Sequence, residues 1–141
     1  HSDRSIFKIV DLDEAWAFLN VAQGETLSNK LVRAGRAMNA GVYFVTQSSG
    51  DVSKESLKNN IGLKFAFRST DTNEIKQTLE FFGLDSEDEN NQKRLRDLEN
   101  GQCLMQDLYG RVGVVQIHPV FVELLHAFDT RPPIKSEVDL E

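Results

Sequence analysis

Apolar and polar positions fall in blocks along the chain, and their period changes from block to block. Ile6 to Leu12 is short, apolar and partly β-branched, which predicts a buried strand. A helix is expected from about Glu14 to Ala22, with Gln23-Gly24-Glu25 breaking it. A second helix is expected from about Thr26 to Asn39. There Leu27, Leu31, Ala34 and Met38 fall at i, i+4, i+7 and i+11, on one face. Ala40-Gly41 ends it, and Val42-Tyr43-Phe44-Val45 is a compact strand running into Thr46-Gln47. A short helix over Ser53 to Asn59 and a strand over Leu63 to Arg68 follow.

Asp71 and Glu74 stand at capping-box spacing and open a helix whose Ile75, Leu79 and Phe82 share a face. Gly83 stops it where a left-handed cap is wanted. Ser86 with Glu89 repeats the capping signature, and Lys93, Arg94 and Arg96 follow where the helix dipole favours them. Gln102 to Leu108 and Val112 to His118 read as two strands joined by a hairpin at Tyr109-Gly110-Arg111. Pro119 opens a last helix to about Phe128, and Asp129 to Glu141 reads as a polar, Pro-containing tail.

Strands alternating with helices imply a mainly parallel sheet covered on both faces, a three-layer α/β sandwich closed by an antiparallel hairpin. The 141 residues suffice for one domain, here residues 1–128, with 129–141 as its tail. His1-Ser2 and Leu140-Glu141 read as vector-derived ends, and the chain as an excised part of a longer protein.

Composition narrows the function classes. At 40% hydrophobic and 27% charged, the chain has a globular profile. A net charge of −6 argues against a broad basic nucleic-acid surface, while a small basic loop within a larger assembly stays open. The lone Cys103 rules out an internal disulfide and reads as a small buried hydrophobe on a strand.

The chemistry concentrates at strand ends. Ligands of a parallel sheet sit at the carboxyl ends of its strands, and Asp13-Glu14 follows an apolar strand, the pattern of a Walker B motif. One carboxylate, Asp13, would hold Mg²⁺ through water, because that cation takes oxygen ligands and keeps its hydration. The next, Glu14, would orient or deprotonate the attacking water. The competing reading makes Asp13 only the N-cap of the helix carrying Trp16 and Leu19. Asp11 is the rival register, set aside because Leu12 rather than a second acid follows it.

Gln47 ends the second strand, beside the acids. A neutral amide there can donate to a phosphate oxygen and accept from the water; the plainer alternative is a Gln bonded to nearby backbone. Arg33 and Arg36 are three apart on the intervening helix, away from its apolar stripe. They suit a nucleotide, the chain's own or a neighbour's, or simply form a solvated basic face.

The order strand–Asp-Glu-Ala-Trp, arginine-bearing helix, Gly-x5-Gln, then "LENGQCLMQDLYGRVGVVQI" resembles the conjugation ATPases of type IV secretion systems, within the HerA–FtsK branch of RecA-like P-loop motors. It is most similar to the large energising ATPase of Gram-positive conjugative elements, over roughly Ile6 to Phe128. The resemblance implies a partial RecA-like fold, ATP and Mg as cofactors of the parent, a hexamer, other secretion components as partners, and a place at the cytoplasmic face of the membrane. It makes Asp13 the Walker B aspartate, Glu14 the catalytic glutamate, Gln47 the sensor, and Arg36, with Arg33 second, an arginine acting across the subunit interface.

One departure matters. The sequence contains no Gly-x4-Gly-Lys-Ser/Thr loop to hold phosphates; "GETLSNK", Gly24 to Lys30, lacks the pattern. The expectation is a chain truncated before Walker B, carrying half a site, inactive alone, binding nucleotide weakly, and prone to dimerise through uncovered faces. The rivals are a HerA/FtsK-like DNA translocase or coupling ATPase, and a non-catalytic module that keeps the motor fold. His118 and His126 have no partners at metal-ligand spacing, and no nucleophile elbow supports a hydrolase.

Overall fold

The computed structural model describes residues 5–52, 55–127 and 129, without the side chains of Glu25, Arg36, Glu55 and Ser56. Most of the expected tail therefore lies outside the described residues. The order is β1 (Lys8–Leu12), α1 (Ala15–Leu19), α2 (Ala22–Met38), β2 (Ala40–Phe44), a 3-10 turn at Ser49–Val52, α3 (Glu55–Lys58), β3 (Lys64–Ala66), α4 (Thr72–Phe82), α5 (Glu89–Arg96), β4 (Gln102–Gln106), β5 (Val112–Gln116) and α6 (Val122–Ala127).

This is the mixed α/β fold with a closing antiparallel hairpin that the blocks predict. β1 and β2 pair in parallel, Lys8 opposite Ala40 and Leu12 opposite Phe44. β4 and β5 form the hairpin, Gln102 opposite Gln116 and Gln106 opposite Val112. β3 joins the hairpin antiparallel to β4, with Phe65 opposite Met105, so the described strands form two sheets, a two-stranded parallel one (β1-β2) and a three-stranded antiparallel one (β3-β4-β5).

The core gathers Ala15, Leu19, Leu57, Ile75, Leu79, Phe82, Leu95, Leu98 and Leu104, with Leu12, Val32 and Phe44 packed against it. Cys103 is buried on β4, as expected, and burial raises its thiol pKa. The outward positions of the strands stay apolar: Ile9, Tyr43 and Phe65 are each half-exposed or more.

Three local expectations are corrected. Gly24 does not break the helix but lies inside α2. A Cβ there would sit 1.9 Å from the Phe18 carbonyl oxygen, so glycine is what lets α2 pack on α1. The buried face of α2 accordingly runs through Gly24, Ser28 and Gly35, while Leu27 and Met38 are exposed. Close backbone approach, not apolar area, decides which face turns inward. Lastly, α5 is capped by Asp88, whose side chain accepts from the Asn90 amide. Ser86 instead donates to Glu80.

The α4 signals are realised as read. Asp71 accepts from the Glu74 amide at 2.8 Å, and Gly83 closes the helix with φ 74°. Among its last carbonyls, Glu80 takes Lys58 Nζ beside the Gly83 amide, Phe81 takes Lys64 Nζ and Phe82 takes Gln106 Nε2. Those bonds tie β3 and β4 to the helix.

Candidate functional site

Parallel pairing brings the carboxyl ends of β1 and β2 to one rim. The Val45 amide donates to the Leu12 carbonyl at 3.0 Å, and the Ala15 amide to the Val45 carbonyl at 2.9 Å. The chain leaving β1 is thus stitched to the end of β2. Between those stitches Glu14 takes a left-handed conformation, φ 52° and ψ 45°. A non-glycine residue rarely does so without a compensating arrangement.

That arrangement is visible in its side chain. Glu14 Oε1 accepts from Gln47 Nε2 at 3.0 Å, and Oε2 accepts from Trp16 Nε1 at 2.6 Å. Although Glu14 occupies the N-cap position of α1, it makes no side-chain cap bond. Asp13 does not cap the helix either: its Oδ1 accepts from the adjacent Glu14 amide at 3.0 Å. The capping alternative for the acids is therefore not what the fold uses. Asp13, Glu14 and Gln47 are all exposed on this rim.

The loop behind Gln47 is anchored on both sides. Thr46 Oγ1 donates to Asp51 Oδ2 at 2.6 Å. Ser48 Oγ donates to Glu74 Oε2 at 2.8 Å, and the Ser49 amide to Glu74 Oε1 at 2.7 Å. Glu74 lies in the first turn of α4, so that helix steadies the segment presenting Gln47.

Arg33 is not gathered into this rim. α2 starts beside α1 and ends at the start of β2, where Gly35 lies against the Ala40 carbonyl. Arg33 is exposed in that later half of α2, toward the opposite ends of the strands, and the side chain of Arg36 lies outside the described residues.

Among the described residues no group of three or more His, Cys, Asp or Glu stands ready to hold a metal. Of the two rim carboxylates, Glu14 is engaged by Gln47 and Trp16, which leaves Asp13 as the one to face a cation. That suits a hydrated Mg²⁺ whose other ligands are waters and phosphate oxygens, and it would not suit a dedicated protein cage.

Two residues escaped the sequence reading. The sequence puts Trp16 on the helix after the acids, and only its side-chain geometry reveals the bond to Glu14. Glu74 carried a capping signature, which its backbone amide fulfils; its carboxylate reaches across to a loop distant in sequence, which no local pattern encodes.

Comparison with known proteins adds three findings. The sequence profile of the family described as AAA-like domain matches residues 1–128. The uncharacterized protein YddE of Bacillus subtilis (strain 168) is 34% identical over 119 residues, which cover 84% of this chain and 14% of that protein. The chain therefore spans about one-seventh of that relative's length. Among solved structures, the genome packaging NTPase B204 from Sulfolobus turreted icosahedral virus 2, in complex with ATP-gammaS, superposes with a TM-score of 0.59. It is 15% identical, over 79% of this chain and 52% of that one, a likeness of fold.

Proposed function

The chain belongs to the AAA-like domain family, and from that premise we propose that it forms the Walker B part of the nucleotide-hydrolysing site in the energising ATPase of a conjugative type IV secretion system. Family and fold agree on the P-loop NTPase superfamily; conjugation is the finer part of the proposal. The observation that carries the site is the 3.0 Å bond from Gln47 to Glu14 across two parallel strand ends. An acid serving only as a helix cap would not need a polar partner from the loop that follows the next strand.

In this reading Glu14 orients the attacking water and takes its proton. Gln47, with one amide N–H on Glu14, keeps its second N–H for a phosphate oxygen and its carbonyl for the water. Asp13 would hold Mg²⁺ through water. Bound Mg-ATP supplies the electrophilic phosphorus and a cation that offsets the phosphate charge. The β- and γ-phosphate cradle comes from residues outside this sequence, so the chain alone binds Mg-ATP weakly. Because α2 carries Arg33 away from the Glu14 rim, Arg36 or Arg33 would serve the nucleotide of a neighbouring subunit in a hexamer at the cytoplasmic face of the membrane.

The test is Glu14→Gln in the longer ATPase that contains this domain. Turnover should fall at least ~100-fold while nucleotide still binds. Near-normal turnover would remove Glu14 from the role and the proposal with it.

A further inference from the structure

Glu14 is held by two donors, and only one of them, Gln47, comes from the neighbouring segment, in the loop just past the end of β2. The other is Trp16, two positions along the chain, whose indole N–H meets Oε2 at 2.6 Å. The core does not explain this tryptophan. Ala15 and Leu19, at 1% exposure each, carry the burial of α1, whereas Trp16 is 47% exposed. An indole at that exposure forgoes much of the apolar burial that usually retains a tryptophan.

The arrangement is specific in another way. Both donors are neutral, so they orient the carboxylate without supplying a cation that would compete for its charge. Two N–H groups arriving at different oxygens restrict the side-chain torsions of an exposed glutamate, which would otherwise sample several rotamers. Each oxygen still has a second lone pair for a water. The left-handed backbone of Glu14 belongs to the same device, since it lies between the strand and the first turn of α1 that carries the indole.

We propose that Trp16 is a positioning residue for Glu14: its indole N–H fixes one carboxylate oxygen while Gln47 fixes the other, and so sets the direction in which the carboxylate meets the attacking water. The inference rests on the reading of Glu14 as the water-activating group. It is separable from that reading, because Trp16 can be changed while Glu14 and Gln47 remain.

Three variants of the longer ATPase decide it: Trp16→Phe, Trp16→Ala and Glu14→Gln. Phe keeps an aromatic ring and loses the N–H. The expected result is that Trp16→Phe and Trp16→Ala both lose about 10-fold in kcat, as for one lost hydrogen bond to a charged group, with KM for ATP within about twofold of wild type. A packing role predicts the opposite split, with Phe near wild type and Ala impaired, and would overturn the proposal. If Glu14→Gln abolishes turnover and Trp16→Phe leaves kcat unchanged, the positioning role alone fails. If Glu14→Gln keeps turnover, the catalytic reading fails first.

A second measurement needs no activity. Trp16 is the single tryptophan of the 141-residue chain, so all indole emission from the chain comes from this site and senses the loss of the Glu14 carboxylate. Glu14→Ala should shift the emission maximum relative to wild type. Identical spectra would show that the carboxylate does not touch the indole, and would overturn the proposal.

Discussion

The Ser49 amide donates to Glu74 Oε1 at 2.7 Å, fastening the segment that carries Gln47 to the first turn of α4. Ser48 Oγ takes the other oxygen of the same carboxylate. Glu74→Ala removes both anchors and leaves the helix cap itself intact, since Asp71 accepts from the backbone of residue 74. The expected outcome is amide exchange at Ser49 faster by at least ~10-fold, with a stability cost of about 1–2 kcal/mol. Unchanged Ser49 protection would show that Glu74 does not hold the loop.

Gly24 is expected to be intolerant of even one methyl group. Its Cβ would meet backbone, the Phe18 carbonyl oxygen at 1.9 Å, and backbone cannot swing aside as a side chain can. Gly24→Ala should destabilise by about 1–3 kcal/mol despite the better helix propensity of alanine. A denaturant midpoint equal to or above wild type would contradict the close packing of α1 on α2.

Ser28 tests the same face from the other direction. It is fully buried, and its Oγ has no hydrogen-bond partner among the described residues. Ser28→Ala removes an unsatisfied hydroxyl without changing the packing size much, so a gain of about 1 kcal/mol in unfolding free energy is expected. A loss of that size would mean the hydroxyl has a partner.

Lys64 gives the fold an alkaline signature. Its Nζ donates to the Phe81 carbonyl and lies 4.5 Å from the Phe81 ring centroid. Burial, with the nearby Lys58 charge second, holds its pKa below the ordinary 10.5. Between the folded value and 10.5 the unfolded chain binds this proton more tightly, so stability from Lys64 rises with pH through that window. In Lys64→Met the rise should be smaller; an identical pH slope in both proteins, followed by thermal unfolding, would contradict it.

Much of the architecture was legible because it is written in local chemistry. The Asp71 cap, the Gly83 stop, the β4–β5 hairpin and the buried Cys103 each follow from residues close in sequence. Parallel neighbours at β1 and β2 followed from the crossover helix between them, and with them came the meeting of Glu14 and Gln47 at one rim. The inward face of α2 was misread because a hydrophobic stripe registers apolar area, while Gly24 and Ser28 face inward for want of room.

By itself, then, the sequence determined the element types, the α/β class and the acids and amide at strand ends, since period, caps and turn residues act over a few positions. Tertiary structure alone decided that Glu14 turns left-handed, that Trp16 and Gln47 divide its two oxygens, that Glu74 holds the loop, and that Arg33 sits in the half of α2 that leads away from the Glu14 rim. Those facts depend on distances between segments remote along the chain. Only the packing of α1 on α2 and the pairing of β1 with β2 set such distances.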